Sequence, residues 1–369
     1  MSIPLSTVKH LWLRYSKSGE AGLQNNYKNC GAQPVGNDYL MYRATRWLKY
    51  LHPSWGAGRI RAGLCSRYGD SGLPCERTMQ RWFASGKLTE PKEMLNAPRI
   101  GASRAVHNIW QVDAKEQLTL SDGSLCCYLT FTDEYSGAWL GSVVFGHYHV
   151  NQVSLENFRG NLIKMFERWG KSGALRVDNG LPLGNPKMSS TTPLALWLIA
   201  MDVDMIWNKP ACPQQNAKVE RAQGTSSRWS EISKCRNIEH LQKRLDEEAV
   251  VQRENFRVTR LKMKTRLEAF PELETSRRFY DASTFNAQRV YDFLGDKKYV
   301  RKTTKVGQLE LYGQLFNVST KYGKLWIQIK FDAQNKNWLF FDDVKMIATI
   351  KAEHLSGKNI LNLTVCQRT

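Results

Sequence analysis

Apolar residues in the first quarter of the chain recur every three to four positions, the period of a helix with one buried side. The pattern predicts helices over residues 6–15, 38–51 and 57–68, then a short one in CERTMQRWFASG, closed by Gly86. Pro53 with Trp55 and Gly56, and the stretch from Gly69 to Pro74, supply the turns between them. Short helices joined by tight turns suggest helix-turn-helix packing. In the last helix Met79, Trp82 and Phe83 share one side, while Arg77, Gln80 and Arg81 lie on or near the other. Residues 87–105 have no clear period and contain Pro91 and Pro98, which marks a linker.

Beyond the linker the period shortens. IWQVDAKEQLTL, SLCCYLTFTDEYSG and AWLGSVVFGHYHV read as consecutive strands with polar turns at 121–123 and 135–137. An amphipathic helix (SLENFRGNLIKMFERWG) leads to a strand ending at ALRVDNG, a helix (PLALWLIAMD), a short strand (VDMIWN) and a long helix from about Pro213. Antiparallel strands followed by alternating helices and strands describe a mixed α/β layer domain. Residues 239–295 return to helical composition with charges of both signs and little apolar surface, so this arm is expected to pack against a neighbouring subunit or its DNA. Short alternating runs between residues 302 and 350, broken by Gly, Asn and Asp, predict a small β-barrel or roll.

Composition sharpens this outline. A chain of 369 residues with 42% hydrophobic content has the means for more than one packed domain. Its 53 Lys and Arg against 34 Asp and Glu give a net charge of +19, the footprint of a polyanion binder, without separating DNA from RNA or a membrane surface. No stretch approaches the run of about eighteen apolar residues that a spanning helix needs, and the N-terminus lacks a secretory pattern. A cytoplasmic location with no membrane partner is therefore expected. Eight cysteines lack CxxC spacing and suitably spaced histidines, which argues against zinc and for reduced thiols, mostly in cores. Given the charge, Arg77, Gln80 and Arg81 form a candidate DNA-recognition face; the plain alternative is the solvated side of an ordinary bundle.

Three carboxylates stand out. Asp113 lies inside an apolar strand, where an unpartnered charge is costly. Asp178 closes the strand ALRV at a turn, the end of a sheet where ligand sites form in α/β folds. Glu220 lies in the first turns of a helix, with Lys218 and Arg221 beside it. Each alone also reads as a turn residue or a solvated helix charge. In-line phosphodiester chemistry needs positive charge at both the attacking and leaving oxygens, which two Mg²⁺ ions supply, and such ions take carboxylate rather than Cys or His ligands.

WQVDAKE, then RVDNG, then CPQQNAKVERAQGT resemble the integrase core shared by bacterial insertion-sequence transposases and retroviral integrases. That resemblance implies an RNase H-like α/β catalytic core with Asp113, Asp178 and Glu220 as its metal-binding triad for two Mg²⁺ ions, Mn²⁺ substituting. It also turns Lys218 and Arg221 toward the DNA backbone, with Asn179 and Gln215 as neighbours. HPSWGAGRIRAGL with PCERTMQRWF resembles the helix-turn-helix segment that precedes such cores, Cys75 standing where a capping Ser is more usual. LYGQLFNVSTKYGKLWIQIKFD resembles the small β-barrel that follows.

The implied organisation is multidomain: an all-α helix-turn-helix DNA-binding region over 1–98, the core over 104–238, a helical connecting arm over 239–295 and the barrel over 302–350. The implied activity is that of a DDE transposase: binding element-end DNA, cleaving its backbone and joining the 3′ ends to target DNA, as a homo-oligomer on DNA, with an accessory ATPase left open. An RNase H-like nuclease without strand transfer is one alternative. A domesticated DNA-binding regulator is another, against which the presence of all three carboxylates argues. Forty-one residues separate Asp178 from Glu220, more than is usual in that family, and LPLGNPKMSSTTP is the loop that can absorb the difference.

Other candidates read as structural. Asp133 and Glu134 sit at a turn, and Glu116 is expected to face away from Asp113 in a regular strand. His147 and His149 share a strand face without a third ligand and read as surface residues.

Overall fold

The computed structural model describes residues 4–24, 37–86, 88–89, 103–180, 182–184, 190–208, 216–275, 278–342 and 345–365. Most of the expected linker, Gln215, and part of the loop between Asp178 and Glu220 lie outside these residues.

The chain opens with α1 (Leu5–Ser18), α2 (Asn37–Leu51), α3 (Ala57–Tyr68) and α4 (Glu76–Ser85). Helices α2 to α4 close around Trp55, Ile60, Leu64, Met79 and Phe83, as the apolar period requires. This cluster also takes in Trp229, more than a hundred residues away. The helical region is further fastened to the remainder of the chain by Arg59, whose guanidinium makes two bonds to the buried Glu248 carboxylate at 2.5 and 2.6 Å. Trp55 Nε1 donates to the Trp229 carbonyl.

Then come β1 (Ile109–Thr119), β2 (Leu125–Asp133), β3 (Trp139–Phe145), α5 (Leu155–Trp169), β4 (Ala174–Val177), α6 (Pro193–Ala200), β5 (Asp204–Trp207), α7 (Ala217–Trp229) and α8 (Ile238–Val250). Among the described residues these strands form one five-stranded sheet in the order β3-β2-β1-β4-β5. β1, β2 and β3 pair antiparallel, and β1, β4 and β5 parallel. This mixed sheet fits the RNase H-like core that the motifs imply. One face packs Trp110, Val112, Leu129 and Phe131 against Phe158, Leu162 and Phe166 of α5. The other sets Cys126, Tyr128 and Trp139 against Ala222 of α7 and Leu241 and Leu245 of α8. Strand alternation therefore sends Cys126 and Cys127 to opposite layers, as expected.

The arm does not wait for a neighbouring subunit. Besides its apolar contacts, Gln242 of α8 accepts from Val144 N–H and donates to the Ser142 carbonyl. Just beyond it, Gln252 accepts from Trp139 N–H and donates to the Gly137 carbonyl. Two side-chain amides thus satisfy the open edge of β3, a covering that blunts edge-to-edge pairing. The small apolar face of α8 is enough because its partner is the chain's own sheet.

After α9 (Arg266–Ala269), α10 (Glu272–Thr275) and α11 (Ala287–Gly295) come β6 (Lys298–Lys302), β7 (Gln308–Leu311), β8 (Gln314–Asn317), β9 (Trp326–Asp332), β10 (Asn337–Asp342), β11 (Lys345–Lys351) and α12 (Gly357–Leu361). The expected small barrel or roll is not confirmed as a barrel. Among the described residues the strands form an open antiparallel sheet, β11-β10-β9-β6, and a separate β7-β8 hairpin. Ile327, Ile329, Phe331, Trp338 and Phe340 bury against Leu309, Leu311 and Phe316 of the hairpin and Val290 and Leu294 of α11. A sheet whose apolar face is covered this way has no need to close on itself. Helix α6, apolar all round, lies between this cluster and the main core, with Leu194 and Trp197 in one and Leu196 and Ile199 in the other. Among the described residues no helix is long and apolar enough to cross a membrane.

Candidate active site

β1 and β4 are hydrogen-bonded neighbours over only three residue pairs, Ile109 with Ala174, Trp110 with Leu175 and Gln111 with Arg176. Asp113 lies two residues past Gln111 in β1, and Asp178 two residues past Arg176, just beyond the end of β4. β1 is also the point where the order reverses, with β2 on one side and β4 on the other, and β4 ends at Val177. A crevice at the carboxyl ends of strands beside such a reversal is the usual ligand site of α/β sheets. Here it is a cavity of about 310 Å³ lined by Asp113, Asp178, Gly180 and apolar residues including Val112, Val177 and Phe158.

The two carboxylates are held from their own backbones: Asp113 accepts from Ala114 N–H and Asp178 from Gly180 N–H, each at 2.9 Å. A β-carbon at position 180 would lie 3.1 Å from Asp178 Oδ1, so glycine there lets the carboxylate fold back over the turn. Asp178 and Glu220 are exposed, and Asp113 is half-buried. Burial, followed by the negative charge of Asp178 and more weakly that of Glu220, pushes the Asp113 carboxyl from the ordinary 3.8 up to about 6, against the pull of Ala114 N–H. Both other charges thus act on Asp113.

Among the described residues no group of three or more carboxylate, imidazole or thiolate side chains is drawn tightly enough to hold a metal ion as it stands. The donor chemistry still fits a hard divalent cation: oxygen ligands only, with a net repulsion that positive charge would relieve.

Glu220 depends on a second set of residues. The first N–H groups of a helix lack partners inside it. Asn216, at the start of α7, makes no capping bond with its side chain. The acceptor comes instead from β1, where Gln111 Oε1 takes both Lys218 N–H at 3.1 Å and Val219 N–H at 3.0 Å. Gln111 Nε2 donates to Glu134 Oε2 at 3.0 Å, and Arg176 Nε donates to the same oxygen at 2.7 Å. Ser103 N–H reaches the other Glu134 oxygen at 3.0 Å. Gln111 and Arg176 stand two residues before Asp113 and Asp178, on the same strand faces and one step deeper. Lys218 and Val219 lie just ahead of Glu220. One buried carboxylate, Glu134, therefore links the three elements that carry the candidate triad.

Sequence reading treated Glu134 as a turn residue and passed over Gln111 and Arg176. Glu134 does lie in the turn just past β2, and Gln111 and Arg176 are polar residues within strands whose partners lie far away in the sequence. Asp133 is structural, accepting from Ser136 N–H, Ser136 Oγ and His107 N–H.

Glu116 corrects another expectation. It borders the same cavity as Asp113, and β1 is not regular there, since its register with β2 shifts between Lys115 and Leu118. Its carboxylate accepts from Val150 N–H and meets His149 Nδ1 at 3.1 Å. His147 and His149 do not share a strand face, since β3 ends at Phe145. Arg77, Gln80 and Arg81 are exposed along α4, opposite buried Met79 and Phe83. Arg221 is exposed. Lys218 instead turns inward, its ammonium donating to the Glu134 and Tyr135 carbonyls. Asn179 donates to the Asn208 carbonyl and lies outside the carboxylate cavity.

The Asp113 shift carries a sign that can be checked. Its folded value is above the unfolded one, so this group favours folding most below 3.8 and that contribution is lost as pH rises through about 6. In metal-free protein, carboxyl ¹³C NMR is expected to show Asp113 titrating near 6, and moving down in Asp178→Asn because one repelling charge is gone. An ordinary value unmoved by that change would show that the two charges do not interact.

No family model matches the chain. Among solved structures it is similar to a chain of the simian T-cell lymphotropic virus intasome in complex with PP2A regulatory subunit B56 gamma, at 12% identity over 84% of this chain and 96% of that one, TM-score 0.37. It is also similar to the catalytic core domain of BIV integrase, at 16% identity over 46% and 97%, TM-score 0.34. A third is the HTLV-2 integrase catalytic core domain in complex with magnesium, at 13% identity over 45% and 97%, TM-score 0.32. These superpositions are loose, and the functional reading rests on the site's own geometry.

Proposed function

We propose that the chain is a DNA transposase or integrase of the DDE type, which cleaves a phosphodiester at an element end and joins the 3′ end to target DNA. The observation that supports this is that Asp113 of β1 and Asp178, just past β4, border one cavity, with the start of the Glu220 helix tied to β1 through Gln111. Asp113, Asp178 and Glu220 would hold the divalent cations, Mg²⁺ or Mn²⁺. When bound, these ions supply charge stabilisation at the attacking and leaving oxygens.

The protein's own part is to orient the strand. Exposed Arg77, Gln80 and Arg81 on α4 suit contact with duplex DNA, and the net charge of +19 supplies long-range attraction that falls with salt. Chemistry at two element ends needs two such sites, so the working species is a homo-oligomer assembled on DNA.

The test is incubation with labelled duplexes bearing the sequences that flank the gene, a supercoiled target and Mg²⁺ or Mn²⁺. Joined products are expected. Nicked or hydrolysed DNA without joining would make the chain a nuclease, and intact DNA under all conditions would leave it a binding protein.

A further inference from the structure

Leu183, in the loop after β4, borders the carboxylate crevice and also a second cavity of about 230 Å³, to which Asn179 and Gly184 contribute as well. Asn179 follows Asp178 directly, so the two spaces share a wall next to the candidate triad. The loop is tight: Gly184 N–H donates to the Gly180 carbonyl at 2.7 Å, and a β-carbon at position 184 would lie 2.5 Å from the Asn179 backbone.

Trp207 of β5, Phe293 of α11 and Tyr299 of β6 supply aromatic walls, the first two with ring centroids 6.2 Å apart. The polar ends of two of these rings are already engaged. Trp207 Nε1 donates to the Leu183 carbonyl at 3.2 Å, and the Tyr299 hydroxyl pairs with that of Tyr312 at 2.9 Å. What they offer a ligand is therefore ring surface. Two polar groups remain open. Asn179 donates an amide N–H to the Asn208 carbonyl, which leaves its Oδ1 as an acceptor, and Thr191 Oγ1 has no partner among the described residues. Lys297 and Lys298 border the same space, are exposed and form no ion pair with a described residue. Lys297 Nζ stands 4.7 Å from the Phe293 ring centroid. None of the described lining residues is acidic.

A concave, largely apolar space with a few directed polar groups is the usual form of a small-ligand site. This one is below the range of about 300–1,000 Å³ typical of drug-sized ligands, so it suits a single flat heterocycle. Ring faces can stack on the aromatic walls, while Asn179 Oδ1 and Thr191 Oγ1 can meet amino and carbonyl groups at the ring edge. The two lysines favour a ligand that carries an anion. A nucleobase joined to its phosphate has both properties.

We infer that this cavity receives one nucleobase, turned out of the duplex, from the DNA strand whose backbone enters the carboxylate crevice. The assignment to a DNA strand rests on the transferase reading above; the heterocycle chemistry of the cavity does not. Taking a base out of the stack has a cost, and stacking on aromatic side chains offsets it. A base held beyond Leu183 stops the strand from sliding past Asp178, so the pocket sets which phosphate meets the carboxylates.

The test titrates full-length protein, without divalent metal, with duplexes of gene-flanking sequence that carry one bulged nucleotide moved stepwise along the strand. The same duplexes with an abasic residue in the bulge are the control, since they share the backbone and lack only the base. At one or a few neighbouring positions the base-bearing bulge is expected to bind about tenfold tighter. The preference should vanish in Phe293→Leu, which removes a ring, and in Thr191→Phe, which fills the cavity. Thr191→Phe removes no core side chain, so the test stands if Phe293→Leu is poorly folded. Equal binding of the two bulges at every position, or a preference unchanged in both variants, would overturn the inference. Deoxyadenosine monophosphate, titrated with thermal melting as the readout, is the second arm. A saturable rise in Tm that Thr191→Phe abolishes, with no discrimination between the bulges, would assign the cavity to a free nucleotide and overturn the strand contact. A base preference in a protein that never cuts or joins DNA would refute the transferase reading while leaving the pocket standing.

Discussion

Replacing Asp113 with Asn, Asp178 with Asn or Glu220 with Gln is expected to lower DNA cleavage and joining by roughly a thousandfold or more, because metal-assisted charge stabilisation is worth several kcal/mol and each ~1.4 kcal/mol is tenfold in rate. The folded structure should survive. Asp113 and Asp178 each accept a backbone N–H through Oδ1, and the amide oxygen of Asn can accept the same bond. Asp113→Asn also removes a group whose ionisation is resisted by its surroundings, so its stability near neutral pH should be equal to wild type or higher. DNA affinity should hold or tighten slightly, because each change deletes a negative charge from a surface that attracts phosphate. Rates measured on pre-cleaved and uncut ends, beside filter binding and melting curves, separate these effects. Near-normal joining by any one variant would remove that residue from the site.

The second large effect is expected at the buried Glu134 pair. Arg176→Met keeps much of the side-chain volume but takes the Arg176 guanidinium away from the Glu134 carboxylate, which is 1% exposed. Removing one partner of a buried ion pair typically costs about 3–5 kcal/mol, whereas replacing both with apolar groups is often nearly neutral. Denaturant unfolding should therefore show a large loss for Arg176→Met and substantial recovery in Arg176→Met with Glu134→Leu. Activity should not recover. Glu134 also holds Gln111, and Gln111 supplies the acceptor for the first N–H groups of α7, so an apolar pair stabilises the sheet without restoring the position of Glu220. Full activity in the stabilised double variant would show that the pair serves the core alone.

Much of this architecture follows from the chain's local patterns. A period near 3.6 marked α2, α3 and α4, and a period of two marked β1, β2 and β3, because each element must turn one side to a core. The alternation that carries Cys126 and Cys127 into different layers was legible for the same reason. So were the order Asp113, Asp178, Glu220 and the settings of the first two, a charge in an apolar strand and a turn at a strand's end.

What the sequence left open was decided by pairings between distant residues. Only the parallel pairing of β1 with β4 brings Asp113 and Asp178, 65 residues apart, to one cavity. Gln111, Glu134 and Arg176 each look ordinary in their own segments, and their role exists only where three elements meet. The arm's composition pointed to packing against a neighbouring subunit or its DNA, whereas the edge of β3 gives Gln242 and Gln252 their partners. Alternating runs near the C-terminus specify strands with one buried face, but whether those strands close into a barrel depends on what covers that face, and here α11 and the β7-β8 hairpin do so. Local sequence fixes periodicity because it acts within a few residues. Burial, charge coupling and hydrogen-bond satisfaction act through space, so the chain's own fold had to bring those partners together.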